Sequence, residues 1–340
     1  MASISPNDSF TIEVNDTESS SVTILFTSVP PIACFWIMLI FLIPSLVCSI
    51  FLLYNFFFDR KLRHALNNHV IIALLIVGLF SLLLDVPNYL NFIRLGYVWP
   101  QLTIICYLWC FVDLSCFNLL GFLMAWATIE RHILVFHNNW INTLKKRFLL
   151  HYLPLTIIIL YSLSFYTIVI FFSSCENEFD YTQDWCAYPC YSSQKNIMIY
   201  DNFFNFVLPT PLIVIVNSLL IIRIVKQKQR LHQHMKWSKY RKMILQIMSC
   251  STIFLLFNLP MLLLLVAHAC GLPYEATGQV ELFFYFLAYF INISMPFVCL
   301  GSLPEIWIKI RRKIKHFTNR VTPENITLRP STMKQLTFER

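Results

Sequence analysis

The chain has 340 residues, 57% of them hydrophobic and only 13% charged. A soluble domain carries about a quarter charged residues, so a soluble globular protein is excluded. Apolar runs of about 20 residues recur along the chain, the length of a membrane helix. The eleven cysteines are scattered and no His cluster stands beside them, which excludes a zinc ribbon. No cofactor, no metal and no nucleic-acid partner is expected, and the lipid bilayer is the expected surroundings.

Residues 1–30 form a polar tail with two glycosylation sequons, Asn7-Asp8-Ser9 and Asn15-Asp16-Thr17. The tail has no basic stretch followed by an apolar one, so the first span is expected to act as its own insertion signal. Apolar spans are then read at 32–58, 67–91, 102–136, 147–172, 197–225, 238–268 and 279–301. Pro44, Pro154, Pro209, Pro211, Pro260 and Pro296 fall inside them, where a proline kinks a membrane helix. After the seventh span, 304–316 places Ile306, Trp307, Ile310 and Ile314 against Lys309, Arg311, Arg312, Lys313 and Lys315. That is the pattern of a short amphipathic helix lying on an anionic leaflet. A tail, 317–340, completes the chain.

The charges set the orientation. With these spans, every one of the 26 basic residues except Arg94 and Lys195 falls on one side. The positive-inside rule makes that side cytoplasmic and the N-terminus extracellular. The loop at 173–196 is acidic and holds Cys175, Cys186 and Cys190. Asp85, Asp201 and Glu281 are read as adding to a negative outer mouth, which would draw in a cation. The fold expected is an all-α membrane protein, a seven-transmembrane-helix bundle spanning 31–303.

The third span organises the rest. From Leu114 to Ile129 it carries no formal charge, and Glu130-Arg131-His132 then arrive together. Cys106 lies at its other end, and Asp113 about two turns inward. At this point the chain resembles a rhodopsin-like (class A) G protein-coupled receptor of a divergent, orphan-type branch. Glu130-Arg131-His132 stands where the family has Asp-Arg-Tyr, 25 residues after Cys106, with Trp99 ahead of it and His137 behind. Phe254 to Pro260 aligns with the sixth-helix Phe-x-x-Cys-Trp-x-Pro, and Met295-Pro296-Phe297-Val298-Cys299 with Asn-Pro-x-x-Tyr. Gly78, Leu120 and Met295 replace ligands of the family's sodium site, Asn258 its toggle tryptophan and Cys299 its switch tyrosine.

The resemblance implies a receptor that passes an extracellular ligand signal to a heterotrimeric G protein and is not an enzyme. Asp113 matches the position that holds the ammonium of amine ligands, and Tyr289 a frequent partner of that carboxylate. A structural hydrogen bond between the two is the other role open to them. Glu281 and Asn258 are placed in the same ligand site, with a cationic amine or peptide as the expected ligand. Glu130, Arg131 and His132 are expected to couple to the G protein, Glu130 retaining Arg131 at rest. On that reading, neutralising Glu130 raises basal signalling. Cys106 is expected to bond a cysteine of the 173–196 loop, with Cys186 preferred and Cys175 left to Cys190.

A seven-span transporter or ligand-gated channel is the competing class. It would favour ionisable residues inside broken, repeated helices, and spans one and four to seven have almost none. A retinal protein needs a Schiff-base lysine, and 279–301 holds no lysine.

Overall fold

A computed structural model describes residues 30–136, 143–230, 237–273 and 277–303, together with Ile306 and Arg311. Asn7, Asn15, His137, the 317–340 tail and nearly all of the helix expected at 304–316 lie outside the described residues. The bundle belongs to a unit running from Met1 to Ser302.

Seven helices are long and apolar enough to cross a membrane: α1 Pro31–Phe58, α2 Asn68–Leu95, α3 Thr103–Phe136, α4 Leu144–Phe171, α5 Lys195–Lys226, α6 Ile244–Ala269 and α7 Val280–Ser302. Among the described residues there is no strand. Each helix follows from an apolar run long enough to cross the bilayer. On α1, Met38, Leu42, Ser45, Ser49, Leu52 and Phe56 are buried, while Ile40, Ile43, Val47, Ile50 and Tyr54 are exposed. Those alternating steps of three and four residues split the helix into a bundle face and a lipid face. In α3, 61% of the most apolar stretch is buried, against 22% in α4, so α3 is the central helix.

Three spans depart from α-helix in the same way. Ser81–Asp85, Phe148–Tyr152 and Asp201–Val207 are π-helical turns. Each ends two residues before a proline: Pro87, Pro154 and Pro209. The residue just before each proline donates its N–H five residues back: Val86 to Ser81, Leu153 to Phe148 and Leu208 to Phe203. A proline has no N–H, and its ring clashes with the carbonyl one turn earlier. Widening the preceding turn relieves that clash and keeps the neighbouring donors bonded inside the bilayer. Pro44, Pro260 and Pro296 stay inside regular helix.

The loop between α4 and α5 is tied down at one end of the bundle. Cys106 at the start of α3 bonds Cys186, and Cys175 bonds Cys190 within the loop. Val98 N–H donates to Tyr181 O, and Asp180 N–H to Cys186 O. Trp185, Cys186 and Ala187 adopt φ of 50°, 57° and 61°, a left-handed run unusual for residues with side chains. The disulfide and the burial of Trp185 hold it there. Trp185 is 4% exposed and packs into the core formed by α1, α2, α3 and α7.

Peptide mapping of surface-expressed protein under non-reducing conditions is expected to recover Cys106 with Cys186 and Cys175 with Cys190. Cys106 recovered as an alkylated free thiol would contradict the fold at this end.

Candidate functional site

Inside the disulfide end, α2, α3 and α7 surround a buried carboxylate. Asp85, the last residue of the first π turn, is 2% exposed. Trp109 Nε1–H and the Tyr289 hydroxyl donate to its Oδ1, each at 2.9 Å, and the Ser81 hydroxyl donates to Oδ2 at 3.0 Å. Asn292 Nδ2–H donates to Ser81 Oγ in turn. A charged group at membrane depth needs such a shell of donors. Asp85 therefore belongs to the core rather than to the mouth, where the sequence reading put it.

Asp113 lies beside this shell. Its Oδ1 is 3.5 Å from the Tyr289 hydroxyl, which carries one proton. The 2.9 Å contact to Asp85 takes that proton, and 3.5 Å is at the limit of a hydrogen bond. Asp113 also meets the Asp85 and Trp185 side chains, and it lines a cavity of about 340 Å³. Small-ligand sites occupy about 300–1,000 Å³.

The walls of the cavity are aromatic and acidic. Trp185 and Tyr188 from the tethered loop meet Tyr285 of α7, with Trp185 and Tyr285 ring centres 4.9 Å apart and the two tyrosine hydroxyls bonded at 2.9 Å. The Trp185 indole N–H also donates to the Tyr289 hydroxyl at 3.2 Å. Asp201 and Glu281 line the same space, and among the described residues no Lys or Arg does. Asp201 is already satisfied: the Tyr166 and Tyr191 hydroxyls and Asn205 Nδ2–H donate to it at 2.6, 3.0 and 2.7 Å. In the loop, burial pushes the Asp184 carboxyl up from its ordinary value, and the nearby Glu281 adds to the effect.

Of the expected ligand residues, Asp113 and Glu281 line the cavity. Tyr289 is buried behind it, holding Asp85. Asn258 is not among the lining residues; its side chain donates to Thr210 of α5 at 3.0 Å. The sequence reading missed the aromatic wall. On α6 the cavity is lined by Met261, Leu264 and Leu265, and the loop supplies the rings of Trp185 and Tyr188.

At the opposite end of α3, Glu130 and Arg131 are 2% and 1% exposed. Glu130 Oε1 lies 2.7 Å from His151 Nδ1 of α4. His151 Nε2 lies 2.8 Å from His69 Nδ1 of α2, and His69 Nε2 lies 2.8 Å from the Arg63 carbonyl. Sequence reading had given Glu130 only its neighbour Arg131. His132 packs its ring against Phe136.

The family model for the 7 transmembrane receptor (rhodopsin family) matches residues 49–298. The chain belongs to the rhodopsin family of seven-transmembrane receptors. It is accordingly a multi-pass membrane protein, and the receptor's matched region spans both the cavity and the Glu130–Arg131 end. No curated protein matches it significantly.

Asp85→Leu is expected to destabilise the receptor by about 3 kcal/mol or more, because Trp109, Tyr289 and Ser81 lose a charged acceptor together. Asp113→Asn, which leaves the three donors on Asp85 in place and keeps a polar side chain, is expected to cost less, about 1 kcal/mol. Thermal unfolding of the purified receptor in detergent ranks the two; equal losses would contradict the assignment of Asp85 as the structural carboxylate.

Proposed function

We propose that the receptor binds a small cationic amine at its extracellular face and signals through a heterotrimeric G protein at its cytoplasmic face. The observation that carries this reading is Asp113, a carboxylate lining a cavity with acidic and aromatic walls. An ammonium group is a charged donor suited to that oxygen, and the faces of Trp185 and Tyr285 attract cations. The cavity's volume suits a small amine better than a folded peptide. Orientation is read from the basic residues, nearly all on the side opposite the tethered loop. On the cytoplasmic side, Glu130, Arg131 and His132 stand where the family's Asp-Arg-Tyr stands, and Arg131 is the group offered to the G protein.

The receptor expressed in cells and screened against a library of amines, with second messengers as the readout, is expected to yield an agonist. Asp113→Asn is then expected to lower its potency by about 1.5–3 kcal/mol, roughly tenfold to a hundredfold, with normal surface expression. Unchanged potency would remove Asp113 from the ligand site. A whole-cell current that needs no G protein would favour a channel instead.

Arg131→Ala is expected to abolish G-protein activation while leaving amine binding intact. The 18 residues from Asp113 to Arg131 separate the two sites by about 27 Å of helix rise. Radioligand binding and nucleotide exchange, measured on the same membranes, check it.

A further inference from the structure

The chain of contacts from Glu130 through His151 and His69 to the Arg63 carbonyl fixes a proton count. The carbonyl can only accept, so His69 Nε2 carries a hydrogen. A second hydrogen must lie between His69 Nδ1 and His151 Nε2, 2.8 Å apart. A third must lie between His151 Nδ1 and Glu130 Oε1, 2.7 Å apart. Two neutral imidazoles supply only two hydrogens. Every arrangement that closes all three bonds therefore holds one extra proton, and it is electrically neutral as a set. The two charge-bearing ends of the closest contact are sealed from solvent, with His151 1% and Glu130 3% exposed at the side chain. Tyr152 packs against both imidazole rings and closes the side of the chain.

From this we infer that His151 is a positioning residue for the switch: with His69 behind it, it neutralises Glu130 and so weakens Glu130's hold on Arg131. The inference rests on the coupling role proposed for Arg131. It changes the expectation from the sequence, where Glu130 met only its neighbour: the restraint keeps its sign, but His151 cancels much of it. A Glu130 neutralised by a shared proton offers Arg131 a dipole. A Glu130 stripped of His151 offers it a full negative charge. The other ionisable groups bearing on the set are Arg131 itself, Cys250 of α6, which faces Arg131, and His64 of the segment before α2.

The test is basal nucleotide exchange by the full-length receptor in nanodiscs with a panel of heterotrimeric G proteins. His151→Leu is expected to lower basal exchange at least about fivefold, the low end of a typical coupling between sites. Glu130→Gln alone sets the baseline against which the double variant is read. In the double variant, Glu130→Gln is expected to restore what His151→Leu took away, which a merely structural role for His151 would not do. Basal exchange that rises or stays level in His151→Leu would overturn the inference. If His151→Leu fails to reach the membrane, His69→Leu, which removes the acceptor for His151 Nε2–H, must shift exchange in the same direction.

A second readout needs no G protein. In receptor labelled with ¹⁵N-histidine, the ring-nitrogen signals that vanish in His151→Leu are expected to shift in Glu130→Gln. Signals that do not move would overturn the shared proton. Exchange that persists in Arg131→Ala, with those signals shifting as expected, would instead remove the coupling role and leave the proton chain standing.

Discussion

A proline inside a membrane helix leaves its neighbours with a clash and a missing donor, and the bilayer supplies no water to repair either. Three of the seven spans answer with a widened turn just before the proline. Those turns contain Asp85, His151 and Asp201, each of which anchors a buried polar network. A widened turn inserts a residue and rotates the rest of the span relative to a regular helix. Asp85 closes its turn, Asp201 opens its own, and His151 lies within the third. Helix geometry and polar chemistry are thus one constraint: the prolines set the register in which these three side chains meet their partners.

The tethered loop adds a constraint from outside the bundle. Because Cys186 is bonded to Cys106, its neighbour Trp185 is held over α3 and reaches Tyr89, Trp109, Tyr285 and Tyr289. Its indole N–H meets the Tyr289 hydroxyl that Asp85 holds, and the side chain also meets Asp113. Asp85 keeps its donors behind that ring, and Asp113 faces the cavity. Two aspartates close in space therefore differ in setting: Asp85 is enclosed by Trp109, Tyr289 and Ser81, and Asp113 opens on the cavity.

The spans were legible in the sequence because length and hydropathy report directly on a hydrocarbon layer about 30 Å thick. Depth was less legible. Ending the second span at 91, on the strength of Pro87 and Asn88, put Asp85 near the surface. The helix in fact continues to Leu95, ten residues or about 15 Å beyond Asp85, and Asp85 is buried. Asp113 could be found because it stands at a position the family reuses. The aromatic wall could not, since it comes from a loop whose path depends on which cysteine bonds Cys106. Nor could the histidine chain: His69 and His151 lie 82 residues apart in sequence, His151 and Glu130 lie 21 apart, and no periodicity joins them. Asn258 was placed by alignment with a ligand-facing tryptophan, but a shorter amide on α6 reaches Thr210 instead.

The same contacts decide which helices are free to respond. α2 and α3 are joined near one end by Trp109 and Asp85, and at the other through His69, His151 and Glu130, which also brings in α4. A block tied at both ends resists internal sliding. The cavity is lined by α3, the tethered loop and α5 to α7; α7 is tied to the block through Tyr289 and Asn292, whereas α6 lines the cavity mainly with the apolar Met261, Leu264 and Leu265. A ligand shifts a conformational equilibrium only by contacts that differ between the states. Asp113 belongs to the tied block, and Met261, Leu264 and Leu265 of α6 to another wall of the cavity. If an amine binds as proposed, its contacts to α6 would bear more on the balance of states than its contact to Asp113.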